Sequence, residues 1–365
     1  MRKYHIFSLL LFLCLLFSGC ARIDAASETQ AVHPDTAISS PAVTEDSAVS
    51  VEKRSRVVFA MDTIMELTVY SDGDAILDRA EERITELENK LSVTLPGSEI
   101  HTLNADRTAA LSDDTSALLT DTLELCESTG GALDVTIYPI VSAWGFTTGN
   151  YQIPSDADLA ALLERVDYTS VQTDTSNVSI PDGVQVDLGS VAKGYTGNVL
   201  CGLLRENGVT SALLNLGGNV QALGSKPDGS PWRIVVQHPT DKENYLGILS
   251  LSNMAAITSG GYERYFTGDD GKTYWHIIDP STGKPADSGL LSVTVVGENG
   301  LLCDAMSTAL FVMGLDEASE YWRTHEGFDV IFVTDDGSVH ITEGLYDLFT
   351  LSAVHADKEL TVIER

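Results

Sequence analysis

Apolar and polar positions alternate from Val57 to Tyr70, a period of two that predicts a strand, interrupted at Ala60-Met61-Asp62-Thr63. The period then changes: Leu77, Ala80, Ile84, Leu87 and Leu91 recur at helical spacing, an amphipathic helix that can start at Asp74. Another helix runs from about Asp114 to Thr129 and stops at Gly130-Gly131, which suits a C-terminal cap. Ala132 to Phe146 shows no clear period and reads as ordered irregular chain, and Ser155 with Asp158 opens a helix over Leu159 to Val166. Pro181-Asp182-Gly183 is a turn into the alternating Gly183-Val184-Gln185-Val186, read as a strand, and Val191 to Leu204 reads as a helix closed by Gly208.

Farther along, Ala212 to Leu216, Trp232 to Val236, Tyr245 to Leu251, Ala255 to Thr258 and Leu290 to Val296 read as strands, and Asp304 to Met313 as a helix ended by Gly314. Asp269-Asp270-Gly271 and Asp335-Asp336-Gly337 are hairpin turns. Strands joined by hairpins with helices between them predict an α+β fold of mixed, largely antiparallel sheets packed with helices. No internal repeat is visible.

The first residues follow another logic. Arg2 and Lys3 precede an apolar run from Ile6 to Phe17 and then Ser18-Gly19-Cys20, the charged, apolar and small-residue regions of a secretory signal. The run is short for a membrane span. Its end resembles the bacterial lipoprotein cleavage box, with Phe17 where leucine is commoner; an ordinary signal with an incidental Cys20 is the alternative. Residues 1–19 are therefore expected to be a signal peptide and 20–56 a tether, whose Ala, Ser, Thr, Glu, Asp and Pro bury too little to offset chain entropy. A folded domain is expected over 57–350 and a C-terminal segment over 351–365. The expected location is the extracytoplasmic face of a bacterial membrane, held by lipid on Cys20.

A formal charge of −31 makes nucleic acid an unfavourable partner. An acidic chain that handles phosphates needs a cation. Cys126, Cys201 and Cys303 remain in the folded part without a CxxC pair, so buried free thiols are expected.

The candidate chemistry centres on Asp187-Leu188-Gly189-Ser190-Val191-Ala192-Lys193-Gly194-Tyr195, where a carboxylate and a glycine precede a helix whose first N–H groups face anything anionic. Asp304 and Thr308 are four apart on one helix face, so with the Ser190 carbonyl they can meet one hard cation, magnesium by their oxygen chemistry. Alternatively, Asp304 caps its helix and Thr308 bonds back to a carbonyl. His276 stands in an apolar strand three residues before Asp279 and is either a general base or a structural imidazole bracing that aspartate. Trp144, Tyr195, Tyr262 and Tyr265 are candidates for stacking on a ring or for core packing.

In order and wording, the Asp-Leu-Gly-x-x-Ala-Lys-Gly-Tyr stretch resembles the ApbE family of flavin transferases. So do Thr258-Ser259-Gly260-Gly261-Tyr262-Glu263-Arg264, His276-Ile277-Ile278-Asp279-Pro280-Ser281-Thr282-Gly283-Lys284-Pro285 and Asp304-Ala305-Met306-Ser307-Thr308. The resemblance covers Val57 to about Phe349 and implies a T-fold-related architecture. It implies transfer of the FMN part of FAD to a threonine or serine of a partner flavoprotein, with release of AMP. By motif, Ser190, Asp304 and Thr308 would hold magnesium. Met61, Ala132, Leu133, Asp134, Asp187, Lys193 and Ile277 would line the FAD site, and His276 would be the base. Asp62 stands where the family often has glycine, and Asn198 where it often has aspartate. Two other readings stay open: an FAD pyrophosphatase that gives FMN and AMP, and a surface flavin-binding lipoprotein without chemistry.

Overall fold

Strand β1 (Glu52–Ala60) and strand β2 (Thr63–Ser71) form a hairpin, not one interrupted strand. Met61 and Asp62 make its turn, both left-handed at φ 51° and 58°, the conformation that matches strand twist in a tight hairpin. The break in period at Ala60 to Thr63 is this turn. β1 also takes in Glu52 to Arg56, expected to be tether. It is the edge strand, and its outer face meets solvent, so polar side chains there hide the alternation.

The computed structural model describes residues 51–174, 177–355 and 360–365. The expected signal peptide, Cys20 and the tether before residue 51 lie outside the described residues. Strands β3 (Ala212–Leu216), β4 (Asn219–Leu223), β5 (Ala255–Gly260), β6 (Leu290–Gly297), β7 (Phe328–Thr334), β8 (Val339–Thr342) and β9 (Leu360–Ile363) complete a nine-stranded sheet. Its order in space is its order in the chain. Every adjacent pair is antiparallel except β8 with β9. Because β9 adds to this sheet and buries Ile363, the chain after residue 350 is part of the same compact unit, not a separate segment.

Eight helices lie among the described residues: α1 (Ala75–Leu91), α2 (Glu99–Asp106), α3 (Asp113–Ser128), α4 (Tyr138–Ala143), α5 (Asp156–Leu163), α6 (Ala192–Glu206), α7 (Gly300–Met313) and α8 (Leu315–Thr324). None is long and apolar enough to cross a membrane. α1 lays its apolar stripe, Leu77, Ala80 and Ile84, with α6 against the buried side chains of β1 to β3. α3, α7 and α8 cover one face of the later strands. The other face carries a small sheet of Trp232–Gln237, Tyr245–Leu251 and Phe349–Leu351. β6, covered on both faces, is therefore nearly all buried.

An ion-pair network ties α1 to α3. Arg83 and Lys90 reach Asp114 at 2.6 and 2.8 Å. Burial opposes its charge, but these bonds bring the Asp114 carboxyl down to about 2. The Tyr195 hydroxyl of α6 joins the same carboxylate at 3.3 Å, so this ring serves structure. Trp144 is also structural: it is buried and donates its indole N–H to the Gly283 carbonyl at 2.8 Å.

Candidate active site

Leading into α6, Val184, Val186 and Leu188 are buried as their alternation predicts, yet Gly183 to Val186 is not a strand. The Asn104 side chain takes the place of a neighbouring strand. Val186 donates its N–H to Asn104 Oδ1 at 2.7 Å, and Asn104 Nδ2 donates to the Val186 carbonyl at 2.8 Å. Asp187 then donates its N–H to the Val135 carbonyl at 2.7 Å, and Leu188 accepts from Val191 and Ala192 to turn the chain into the helix.

At this junction Gly194 leaves α6 in contact with α7. A Cβ there would stand 2.2 Å from the Gly300 carbonyl oxygen and 2.6 Å from Asp304 Cβ. Only glycine allows that approach. The Asp304 carboxylate accepts the Gly194 N–H at 2.8 Å and so caps a helix other than its own. α7 itself is capped by Asn299, whose side chain accepts from Leu302, so the reading of Asp304 as the cap of its own helix does not hold. Since the Gly194 N–H turns to Asp304, the Ser190 carbonyl accepts no hydrogen bond among the described residues.

Around this point the charges converge. Burial raises the carboxyls of Asp187 and Asp304, while the nearby Lys193 charge lowers both and Arg264 also lowers Asp187. Glu263 keeps part of its surface in solvent. Burial pushes it up to about 7 against the pull of Lys193 and Arg264, and Asp304 adds to the rise. Neither Lys193 nor Arg264 makes an ion pair among the described residues. In an acidic chain, two cations that both act on Asp187 and Glu263 and make no ion pair among the described residues form an anion-attracting locus.

His276 faces the same charges. It sits at a bend between the short strands Thr273–Trp275 and Ile278–Asp279, not inside a strand. Its backbone N–H donates to the Arg264 carbonyl at 3.1 Å, and Nδ1 lies 3.2 Å from the same oxygen. A carbonyl only accepts, so this bond puts the ring proton on Nδ1 and leaves the Nε2 lone pair free. Burial, then the Arg264 charge, pushes the imidazole down to about 4, so it is neutral at pH 7. It does not brace Asp279, which accepts from Ser281 and Thr282 within its own turn.

The other expected residues divide into two groups. Thr308 approaches Ser259 Oγ at 3.4 Å, and Ser259 meets Ser307 at 2.8 Å, giving hydroxyls beside Asp304. Met61 packs against α6, where Thr196 points its hydroxyl at the sulfur from 3.8 Å, and Glu88 accepts the Met61 N–H at 2.6 Å. Ile277 is buried and accepts from Ala286. Asp134 stands apart: its oxygens accept from the Thr136 N–H and hydroxyl and from the Tyr168 N–H, which commits it to bracing the irregular loop of Ala132 and Leu133. That loop contains α4, whose single short turn is too brief to show a period.

Asn198 is a tie between helices. Its side chain donates to Asn299 at 2.7 Å and accepts from Gln221 and the Gly300 N–H. The three cysteines are free and buried.

Sequence reasoning did not assign Glu263, Arg264 or Ser259 to the site, although all lie in a stretch it singled out. The signal available was that wording; which charges converge on Lys193 depends on folding. Among the described residues no three His, Cys, Asp or Glu side chains form a metal cluster. The oxygen set of Asp304, the freed Ser190 carbonyl and Thr308 has the chemistry of a hard-cation site with one carboxylate and neutral oxygens. The surface hollows over Thr108–Ala110 and along Asp78 to Asn89 share no residue with this site.

Fold and site define an α+β protein with an anion-facing helix start, a buried carboxylate bonded to it and a neutral imidazole under the same Lys193 and Arg264 charges. The chain belongs to the ApbE family, whose model it matches over residues 61–332. It is 34% identical over 229 residues to the FAD:protein FMN transferase of Escherichia coli K12, covering 60% of this chain and 64% of that relative. To the FAD:protein FMN transferase of Treponema pallidum it is 30% identical over 323 residues, 81% of this chain and 89% of the relative. Among solved structures, the ApbE protein of Thermotoga maritima superposes with a TM-score of 0.76 at 30% identity, over 81% of this chain and 99% of that one. The flavin transferase ApbE of Vibrio cholerae gives 0.73 at 26% identity, over 82% and 99%.

Proposed function

We propose that this protein transfers the FMN part of FAD to a threonine or serine hydroxyl of a partner flavoprotein. The acceptor oxygen attacks the FMN phosphorus, a phosphoester bond forms, the pyrophosphate bond breaks, and AMP leaves. The observation that carries the reading is the Asp304–Gly194 bond, which sets a buried carboxylate and the Lys193 ammonium at the start of one helix, facing a neutral His276. The relatives' name supplies the substrate class.

Each residue then has a role. The Lys193 and Arg264 charges, with the helix start, attract and orient the pyrophosphate. His276 Nε2 takes the proton of the acceptor hydroxyl, because its Nδ1 proton is occupied by the Arg264 carbonyl. Asp304, Thr308 and the Ser190 carbonyl would hold magnesium. That ion supplies positive charge against the pyrophosphate and the departing AMP. Phosphoryl transfer asks mostly for positioning and electrostatics, which these groups provide.

The deciding experiment incubates the purified protein, FAD and magnesium with a candidate acceptor flavoprotein, following AMP release and protein-bound FMN by mass. Bound FMN in step with AMP supports transfer. AMP with only free FMN supports the pyrophosphatase reading, and FAD binding without AMP supports the binder.

We also propose that the protein works at the extracytoplasmic membrane surface, anchored by lipid on Cys20. The support is the charged, apolar and small-residue order of the first twenty residues. Cys20→Ala should abolish lipoprotein processing; a wild type that is freely soluble and unlipidated in its native cell overturns this.

A further inference from the structure

The turn between β3 and β4 carries a residue that the proposed reaction does not use. Gly217 and Gly218, at φ 68° and 96°, form a tight hairpin and deliver Asn219 to the first position of β4. A Cβ on Gly217 would stand 2.1 Å from Thr63 Oγ1, so the turn is seated directly on the start of β2. Asn219 is only 6% exposed. Its Nδ2 is buried and makes no hydrogen bond of normal geometry among the described residues, although the amide lies beside the Asp304 carboxylate. A buried donor left unmade is costly, and an apolar side chain of similar shape would avoid that cost. The polar group at this place therefore calls for another explanation.

The surroundings supply one. Asp304 is held on one side by the Gly194 N–H at 2.8 Å, and Asn219 faces it from another element. The same diversion of the Gly194 N–H frees the Ser190 carbonyl. We propose that Asn219 is a positioning residue: it turns the Asp304 carboxylate so that its free lone pairs meet the Ser190 carbonyl and Thr308 hydroxyl around a divalent cation. This rests on the reading of those three oxygens as a cation site. Groups that orient a ligating carboxylate in this way usually change metal affinity by roughly 10–100-fold when removed.

The test measures Mn²⁺ binding to the whole protein by electron paramagnetic resonance, with thermal unfolding recorded on the same samples without metal. Asn219→Leu keeps the branched side-chain shape and heavy-atom count and removes the unmade donor. It should weaken Mn²⁺ binding by roughly 10-fold or more while leaving the metal-free melting temperature unchanged or higher. Asn219→Gln, which keeps an amide donor toward Asp304, should recover part of the affinity. Asp304→Asn is the control for the site itself. If Asp304→Asn loses Mn²⁺ and Asn219→Leu binds it like the wild type, the role of Asn219 is wrong and the cation site stands. If Asn219→Leu loses stability and affinity together and Asn219→Gln rescues neither, Asn219 is only structural. Wild-type binding that is absent, or unaffected by Asp304→Asn, removes the site and this proposal with it.

Discussion

The Asp304 carboxylate of α7 accepts the backbone N–H of Gly194 in α6 at 2.8 Å, joining positions 110 residues apart in the chain. This bond satisfies a donor at a helix start that would otherwise need its own cap, and it fixes where the only carboxylate of the proposed cation set can point. The two helices must therefore be as close as Gly194 allows.

Gly194→Ala tests that closeness. The new Cβ would meet the Gly300 backbone oxygen, which cannot rotate away as a side chain can. Urea unfolding should show a loss of about 1–3 kcal/mol, with flavin transfer falling as the Asp304 bond opens. A variant with unchanged midpoint and transfer rate would mean that the helices separate without consequence.

Asp304→Ala should lose metal-dependent turnover, because one hydroxyl and one carbonyl do not hold a hard dication against water. Transfer is measured across a magnesium series, with a chelator control on the wild type. Wild-type rates in the chelator, or full activity of the variant, would take the metal out of the mechanism.

His276→Ala should keep FAD binding, which the proposed site assigns to Lys193, Arg264 and the helix start, and slow the proposed transfer by roughly 10²–10⁴-fold. FAD affinity and single-turnover transfer are read on one preparation. Loss of affinity with transfer per bound FAD unchanged would assign the imidazole to packing.

Glu263 and His276 should oppose each other in the pH dependence of stability. Glu263 is raised from 4.5 to about 7, so folding keeps its proton and its contribution is lost as pH rises through that window. His276 is lowered from 6.5 to about 4, so folding excludes a proton and stability is lost as pH falls from 6.5 towards 4. Relative to wild type, Glu263→Gln should gain stability as pH rises and His276→Gln as pH falls. Denaturant midpoints at several pH values check both signs; parallel curves for all three proteins would show that neither group is displaced from its ordinary value.

Local pattern alone determined the amphipathic face of α1, the glycine-stopped ends of α3 and α6, the hairpin turns at Asp270-Gly271 and Asp336-Gly337, and the antiparallel character of the fold. Each depends on side-chain period or backbone freedom within a few residues. The stretches holding Asp187, Lys193, His276 and Asp304 were also legible, because their order and wording resemble a family. Tertiary structure decided the rest, since it depends on contacts between distant parts of the chain. Val184 and Val186 alternate as a strand would, but Asn104 occupies the place of the partner strand. Asp134, expected by resemblance to line the FAD site, accepts from Thr136 and Tyr168, partners that no local spacing announces. Glu263 gains its raised pKa only where folding withdraws water and places Asp304 nearby. Hydration, dielectric and charge–charge distance are properties of the packed molecule, so no spacing within the chain encodes them.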